Sequence, residues 1–111
     1  MTIKASDLLA QLPGRITETW PDGERFVQAL AHGTMSVEVY APVGSDPQTP
    51  HSQDELYFPI SGEGCLRIGT VMHAAVPGTV LFVPAGVDHR FESFSKDFST
   101  WVVFWGPDGG E

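Results

Sequence analysis

Cysteine occurs once in the chain, at Cys65. A lone cysteine excludes an internal disulfide and suits a reducing compartment. Basic residues are also scarce: six Lys and Arg stand against fourteen Asp and Glu, a formal charge of −8. Such a balance opposes attraction to a phosphate backbone, and no basic cluster offsets it, so nucleic-acid binding is set aside. Long apolar runs are missing, and none approaches the length of a membrane span. Residues 1–7 lack an apolar core with a cleavage site. A soluble, cytoplasmic protein with no membrane partner is therefore expected.

Glycine and proline are plentiful, at 12 and 9 of 111 residues, while 41% of the chain is apolar. The length suits one domain with one core. The glycine and proline content suits short strands joined by tight turns better than a helical bundle. Ser6–Leu12 reads as a short helix, with Ser6 as its cap, Asp7 in its first turn and Pro13-Gly14 as its stop. Arg15–Thr19, Arg25–Ala31 and Met35–Tyr40 read as strands. In the last of these, Met35, Val37 and Val39 alternate with Ser36, Glu38 and Tyr40, the period of a sheet with two unlike faces. Residues 41–50 hold Pro42, Gly44, Ser45, Asp46, Pro47 and Pro50, and form a loop.

Strands are predicted at Asp54–Ile60, Cys65–Ile68, Val71–Val76, Thr79–Val83, Asp88–Glu92 and Trp101–Trp105, with turns at Ser61–Gly64, Pro77-Gly78 and Pro84–Gly86. Trp101, Val103 and Trp105 share one face of the last strand, and Val102 and Phe104 the other. A strand apolar on both faces is buried on both sides, against the barrel within and a partner outside. About eight to ten short strands at this rhythm predict an all-β sandwich or barrel. The chain divides into a helical segment (1–14), a barrel (15–105) and a frayed tail (106–111).

Two stretches carry the chemistry. The first, His51 to Gly62, sets an imidazole and a carboxylate, His51 and Glu55, four residues apart. The second, Gly78 to His89, ends in Pro-Ala-Gly-Val-Asp-His. Imidazole and carboxylate together suit a borderline divalent ion. On a straight strand His51 and Glu55 would lie about 13 Å apart. Two ligands of one ion hold their donors about 2.0–2.2 Å from it. The pair can share an ion only if the chain bends, with His51 in the loop and Glu55 in the strand; Asp54 can help that bend. A helix beginning at Thr49-Pro50 would serve the spacing more simply, because i and i+4 share a face. The following Leu-Tyr-Phe-Pro-Ile run and Pro59 favour a strand.

The two stretches resemble the paired motifs of the cupin superfamily. His51, Glu55 and Gly62 match the second histidine, the glutamate and the closing glycine of the first motif. Gly78, Pro84, Gly86 and His89 match the second motif throughout. The resemblance implies a double-stranded β-helix, a jelly-roll barrel, holding a small-molecule ligand in its mouth. It implies a divalent ion (Fe, Mn, Zn or Ni) held by His51, Glu55 and His89, and a homodimer formed through edge strands and outer faces. Thr49 stands where the first histidine of the motif usually falls, and Ser93 where an asparagine is common. A site with two histidines and one carboxylate either leaves a position open to water or substrate, or binds metal weakly in a pocket that works without it.

Other candidates carry less. Gln53 is read as a polar residue at a strand entrance, His32 as a turn or surface histidine, and His73 as exposed. Tyr40 and Tyr57 are read as core residues with polar tips, and Cys65 as a small buried hydrophobe. The chemistry left open is metal-dependent catalysis on a small organic substrate, of oxygenase, isomerase or lyase type, or ligand binding without turnover.

Overall fold

The computed structural model describes residues Met1–Glu111. Eight strands follow one short helix, α1, at Ala5–Leu9. The strands are β1 (Phe26–His32), β2 (Met35–Tyr40), β3 (Asp54–Ser61), β4 (Gly64–Ile68), β5 (Val71–Ala75), β6 (Leu81–Val83), β7 (His89–Phe94) and β8 (Ser99–Trp105). They form a five-stranded sheet in the order β1-β2-β8-β3-β6 and a three-stranded sheet in the order β5-β4-β7. All pairings are antiparallel.

The core lies between the sheets. Tyr57, Leu81, Val83 and Val102 from one sheet meet Leu66, Ala75 and Phe91 from the other, with Phe98 from the turn before β8. Period-two alternation aims these side chains inward. β7 bulges opposite Cys65/Leu66, and β3 bulges between Pro59 and Ser61 opposite β8; bulges bend a strand. Gly62 closes the β3–β4 turn at φ +67°, where an added Cβ would sit 2.5 Å from Ser95 Oγ and 2.7 Å from the Phe98 nitrogen. Only glycine fits both that conformation and that crowding.

Several expectations need correction. The helix spans five residues rather than seven, and Lys4, not Ser6, stands at its N-cap without a side-chain cap bond. Its end tightens through Gln11 N–H to Leu8 O and Leu12 N–H to Leu9 O just before Pro13. Arg15–Thr19 is not a strand. Thr17 bonds back to Trp20, whose ring packs edge-on against Phe26 and Tyr40, so the segment turns over the core. β6 begins two residues late because Thr79 is folded back on Val76, its Oγ1 donating at 2.6 Å. The tail is not frayed: Gly109 N–H bonds to Ser52 O and Glu111 N–H to Asp54 Oδ2. Cys65 is half-buried.

The two faces of β2 sort in an unforeseen way. Tyr40 enters the core and Glu38 faces the interior cavity, so the more polar face is the inner one. The apolar face points out, and α1 lies against β1 and β2. Val39 is fully buried there, and Met1 and Ile3 lie over Val37 and Trp101.

Candidate metal centre

Two strands and one loop bring the polar residues together. His51 lies in irregular chain just before β3, Glu55 is the second residue of β3, and His89 is the first of β7. No helix forms between Thr49 and Glu55. The chain bends at Ser52-Gln53 and is anchored at Asp54, whose Oδ1 accepts the Ala85 amide and whose Oδ2 accepts the Glu111 amide. The Gly86 amide donates to His51 O at 2.7 Å. These bonds stitch the loop before β3 to the loop before β7, so two motifs distant in sequence become one surface.

The donor atoms converge. His89 Nε2 is 2.9 Å from Glu55 Oε1, and His51 Nε2 is 3.7 Å from Glu55 Oε2. The donors of all three residues lie within 4.8 Å of one another. Glu55 and His89 are each about 1% exposed. His51 remains open to the cavity and stacks edge-on against Phe104.

The protonation pattern bears on what this cluster can bind. His89 Nδ1 lies 2.9 Å from Val87 O. A carbonyl only accepts, so Nδ1 carries a hydrogen and Nε2 is the atom left to share a proton or a metal ion with Glu55. Glu55 Oε1 and His89 Nε2 have no hydrogen-bond partner despite their proximity. Two buried lone-pair atoms at 2.9 Å repel unless a cation, either a proton or a metal ion, lies between them. The donor set of two imidazoles and a carboxylate suits a divalent transition ion. Burial would lower the His89 pKa, but the Glu55 carboxylate and the Val87 carbonyl outweigh it, and the pKa is raised. Burial lowers the pKa of His51, reinforced by the nearby His89 and opposed by Glu55. Glu38 is pushed up to about 7, first by burial and then by the charge of Glu55.

The cluster opens into a cavity of about 370 Å³. Trp20, Phe26 and Phe104 give it apolar walls, and Glu38, Tyr40 and Tyr57 give it polar points. No Lys or Arg lines it.

Sequence reasoning missed the support behind the cluster. Asp46, 3% exposed, accepts from Tyr40 OH at 2.5 Å, Gln48 Nε2 at 2.6 Å and the Phe91 amide at 2.8 Å. Tyr57 OH in turn donates to Gln48 Oε1 at 3.0 Å. Burial holds both phenols well above their usual range, with the neighbouring carboxylates adding to it, so they act as donors. Glu38 shares a strand face with Tyr40, but alternation alone does not say which of the two faces of β2 turns inward. Asp46 and Gln48 lie on a proline-rich loop whose path no periodicity describes. Gln53 donates to Thr34 O and Gly106 O, a structural role away from the cluster. His32 and His73 are exposed and apart from it.

Comparison with known proteins fits this picture. Residues 36–105 match the family model described as the cupin domain. An uncharacterized protein of Streptomyces coelicolor is 41% identical over 85 residues, covering 75% of this chain and 81% of that one. Among solved structures, a protein from Neisseria meningitidis superposes with a TM-score of 0.70 at 20% identity, over 96% of this chain and all (100%) of its own. A DMSP lyase from Ruegeria pomeroyi gives 0.65 at 24%, over 84% of this chain and 52% of the lyase. A cupin 2 conserved barrel domain protein from Salinispora arenicola gives 0.61 at 18%, over 73% of this chain and 74% of its own. At these identities the structures speak for the fold alone.

Proposed function

The chain belongs to the cupin family, and from that premise we propose that it is a small-molecule-binding protein built on a mononuclear divalent metal site of His51, Glu55 and His89. The observation that carries this reading is the pair Glu55 Oε1 and His89 Nε2, buried 2.9 Å apart with no hydrogen-bond partner. A bound ion of this kind supplies Lewis acidity toward a ligand oxygen, and redox chemistry if it is iron. The chain's own residues do the rest. Val87 O fixes the His89 tautomer, Asp54 fixes the entry of β3, and the aromatic walls select a small, partly apolar ligand. Fe, Mn, Zn and Ni all suit the donors.

Catalysis is the second reading, favoured by the cavity itself. It places the Tyr57 hydroxyl and the Glu38 carboxyl beside the cluster, and with a pKa near 7 Glu38 can exchange a proton at neutral pH. A protein of similar fold, the DMSP lyase of Ruegeria pomeroyi, is named as a lyase, which supports this second reading. Oxygenase, isomerase and lyase reactions on a small organic substrate are the classes this arrangement suits.

The same reading includes a cytoplasmic homodimer. No helix is long and apolar enough to cross a membrane. On the outer face of the five-stranded sheet, Leu56 pairs with Phe82 and Val103, and Phe58 pairs with Trp101. Phe82 and Phe58 are 50% and 41% exposed, a contiguous apolar face that a second copy would cover.

Elemental analysis of untagged protein from ordinary medium tests the metal site. One ion per chain is expected, and a content far below that argues against it. Turnover that vanishes on chelation separates the enzyme from a binder whose ligand yields no product.

A further inference from the structure

The position where the family's first histidine is expected is Thr49, which is exposed. One residue earlier, Gln48 turns inward, and its Oε1 lies 3.2 Å from His51 Nε2. We infer that Gln48 Oε1 is a fourth protein donor to the metal, replacing the missing imidazole with a neutral amide oxygen. This inference rests on the metal site proposed above.

Three observations fix which end of the amide faces the cluster. Gln48 Nε2 is held at 2.6 Å by Asp46 Oδ2, an atom that can only accept. Gln48 Oε1 receives the Tyr57 hydroxyl at 3.0 Å. Asp46 is itself locked by Tyr40 OH and the Phe91 amide, so it cannot turn to favour a reversed amide. Reversal would set the amide oxygen against the Asp46 carboxylate. The carbonyl oxygen therefore faces His51, with one lone pair bonded to Tyr57 and the other directed at His51 Nε2.

A plain hydrogen bond explains the 3.2 Å contact only while His51 Nε2 carries a proton. Once that nitrogen gives its lone pair to an ion, the contact joins two lone-pair atoms. The amide cannot reverse to relieve it. A shared cation is what makes the contact favourable, as with Glu55 and His89. The spacing agrees: donors bound at about 2.1 Å stand about 3.0 Å from an octahedral neighbour and about 3.4 Å from a tetrahedral one. The buried chain Asp46–Gln48 then acts as an outer support, with Asp46 setting the direction of a ligating oxygen as carboxylates do for ligating histidines.

The test counts the ligands rather than the activity. The full-length protein is loaded with Mn2+, and the metal-bound waters are counted by electron paramagnetic resonance in 17O-enriched water. Gln48→Ala is expected to carry one more water than the wild type and to bind Mn2+ about tenfold more weakly. If Gln48→Ala does not fold, Gln48→His loaded with Cu2+ decides: coupling to three imidazole nitrogens instead of two is expected. An unchanged water count, or coupling to only two nitrogens in Gln48→His, overturns the assignment of Gln48 alone. A wild-type chain that takes up neither ion overturns the metal site, and this inference falls with it.

Discussion

Two halves of one interior are built from the same strands and differ in almost everything else. At the closed half, Leu66, Ala75, Phe91, Phe98 and Val102 pack without a polar atom to satisfy. At the open half, His51, Glu55, His89, Glu38 and Gln48 crowd around a cavity. The change takes two residues on a strand: Glu55 to Tyr57 on β3, His89 to Phe91 on β7, Phe104 to Val102 on β8. The closed half stores folding free energy in apolar burial. The open half buries a carboxylate and an imidazole that have only each other and a shared cation to satisfy them, an arrangement suited to binding. Asp46 joins the two, since it accepts from the Phe91 amide on one side and from Gln48 on the other.

If that division is right, substitutions should separate stability from binding. Phe91→Ala should have the largest effect on folding, about 3–5 kcal/mol in denaturant titration, because it empties the centre of the core. Asp46→Ala should cost about 2–3 kcal/mol and also weaken metal binding, because it strands buried donors and releases Gln48. Equal binding in Asp46→Ala and the wild type would break the link between the halves.

pH should act on the open half alone. The His89 pKa is raised in the metal-free protein, so a metal ion must displace a proton from it. Metal affinity should therefore fall as pH drops below that raised value, by about tenfold per pH unit for one proton, about 1.4 kcal/mol. His51, with its pKa lowered, adds nothing to this slope until lower pH. In the metal-free protein the raised pKa has the opposite sense. Its stabilising contribution is present below the unfolded pKa and is lost as pH rises through the folded one. The smallest effect is expected from Gln53→Ala, about 1 kcal/mol of stability with metal binding unchanged, since its amide only ties Thr34 O to Gly106 O.

What was legible in the sequence follows the same division. Strands with two apolar faces, such as Trp101–Trp105, and turns with glycine, such as Gly62, announce themselves through side-chain period and backbone need. His51, Glu55 and His89 were legible through the spacing of two motifs, and the loop-to-strand bend between His51 and Glu55 follows from their reach. Asp46 and Gln48 were not, because residues 41–50 have no repeating geometry and their direction is set by partners far along the chain, Phe91 among them. Arg15–Thr19 has the composition of a strand, but Trp20 finds its partners in Phe26 and Tyr40 and turns the segment instead.

The central claim is that a buried imidazole and a buried carboxylate are held apart for a cation. Calorimetric titration of chelator-treated protein with Zn2+, beside His89→Ala, addresses it most directly. One site per chain is predicted in the wild type, with proton release at neutral pH and loss of that site in the variant. Absence of binding in the wild type, or binding of equal strength and stoichiometry in His89→Ala, would contradict it.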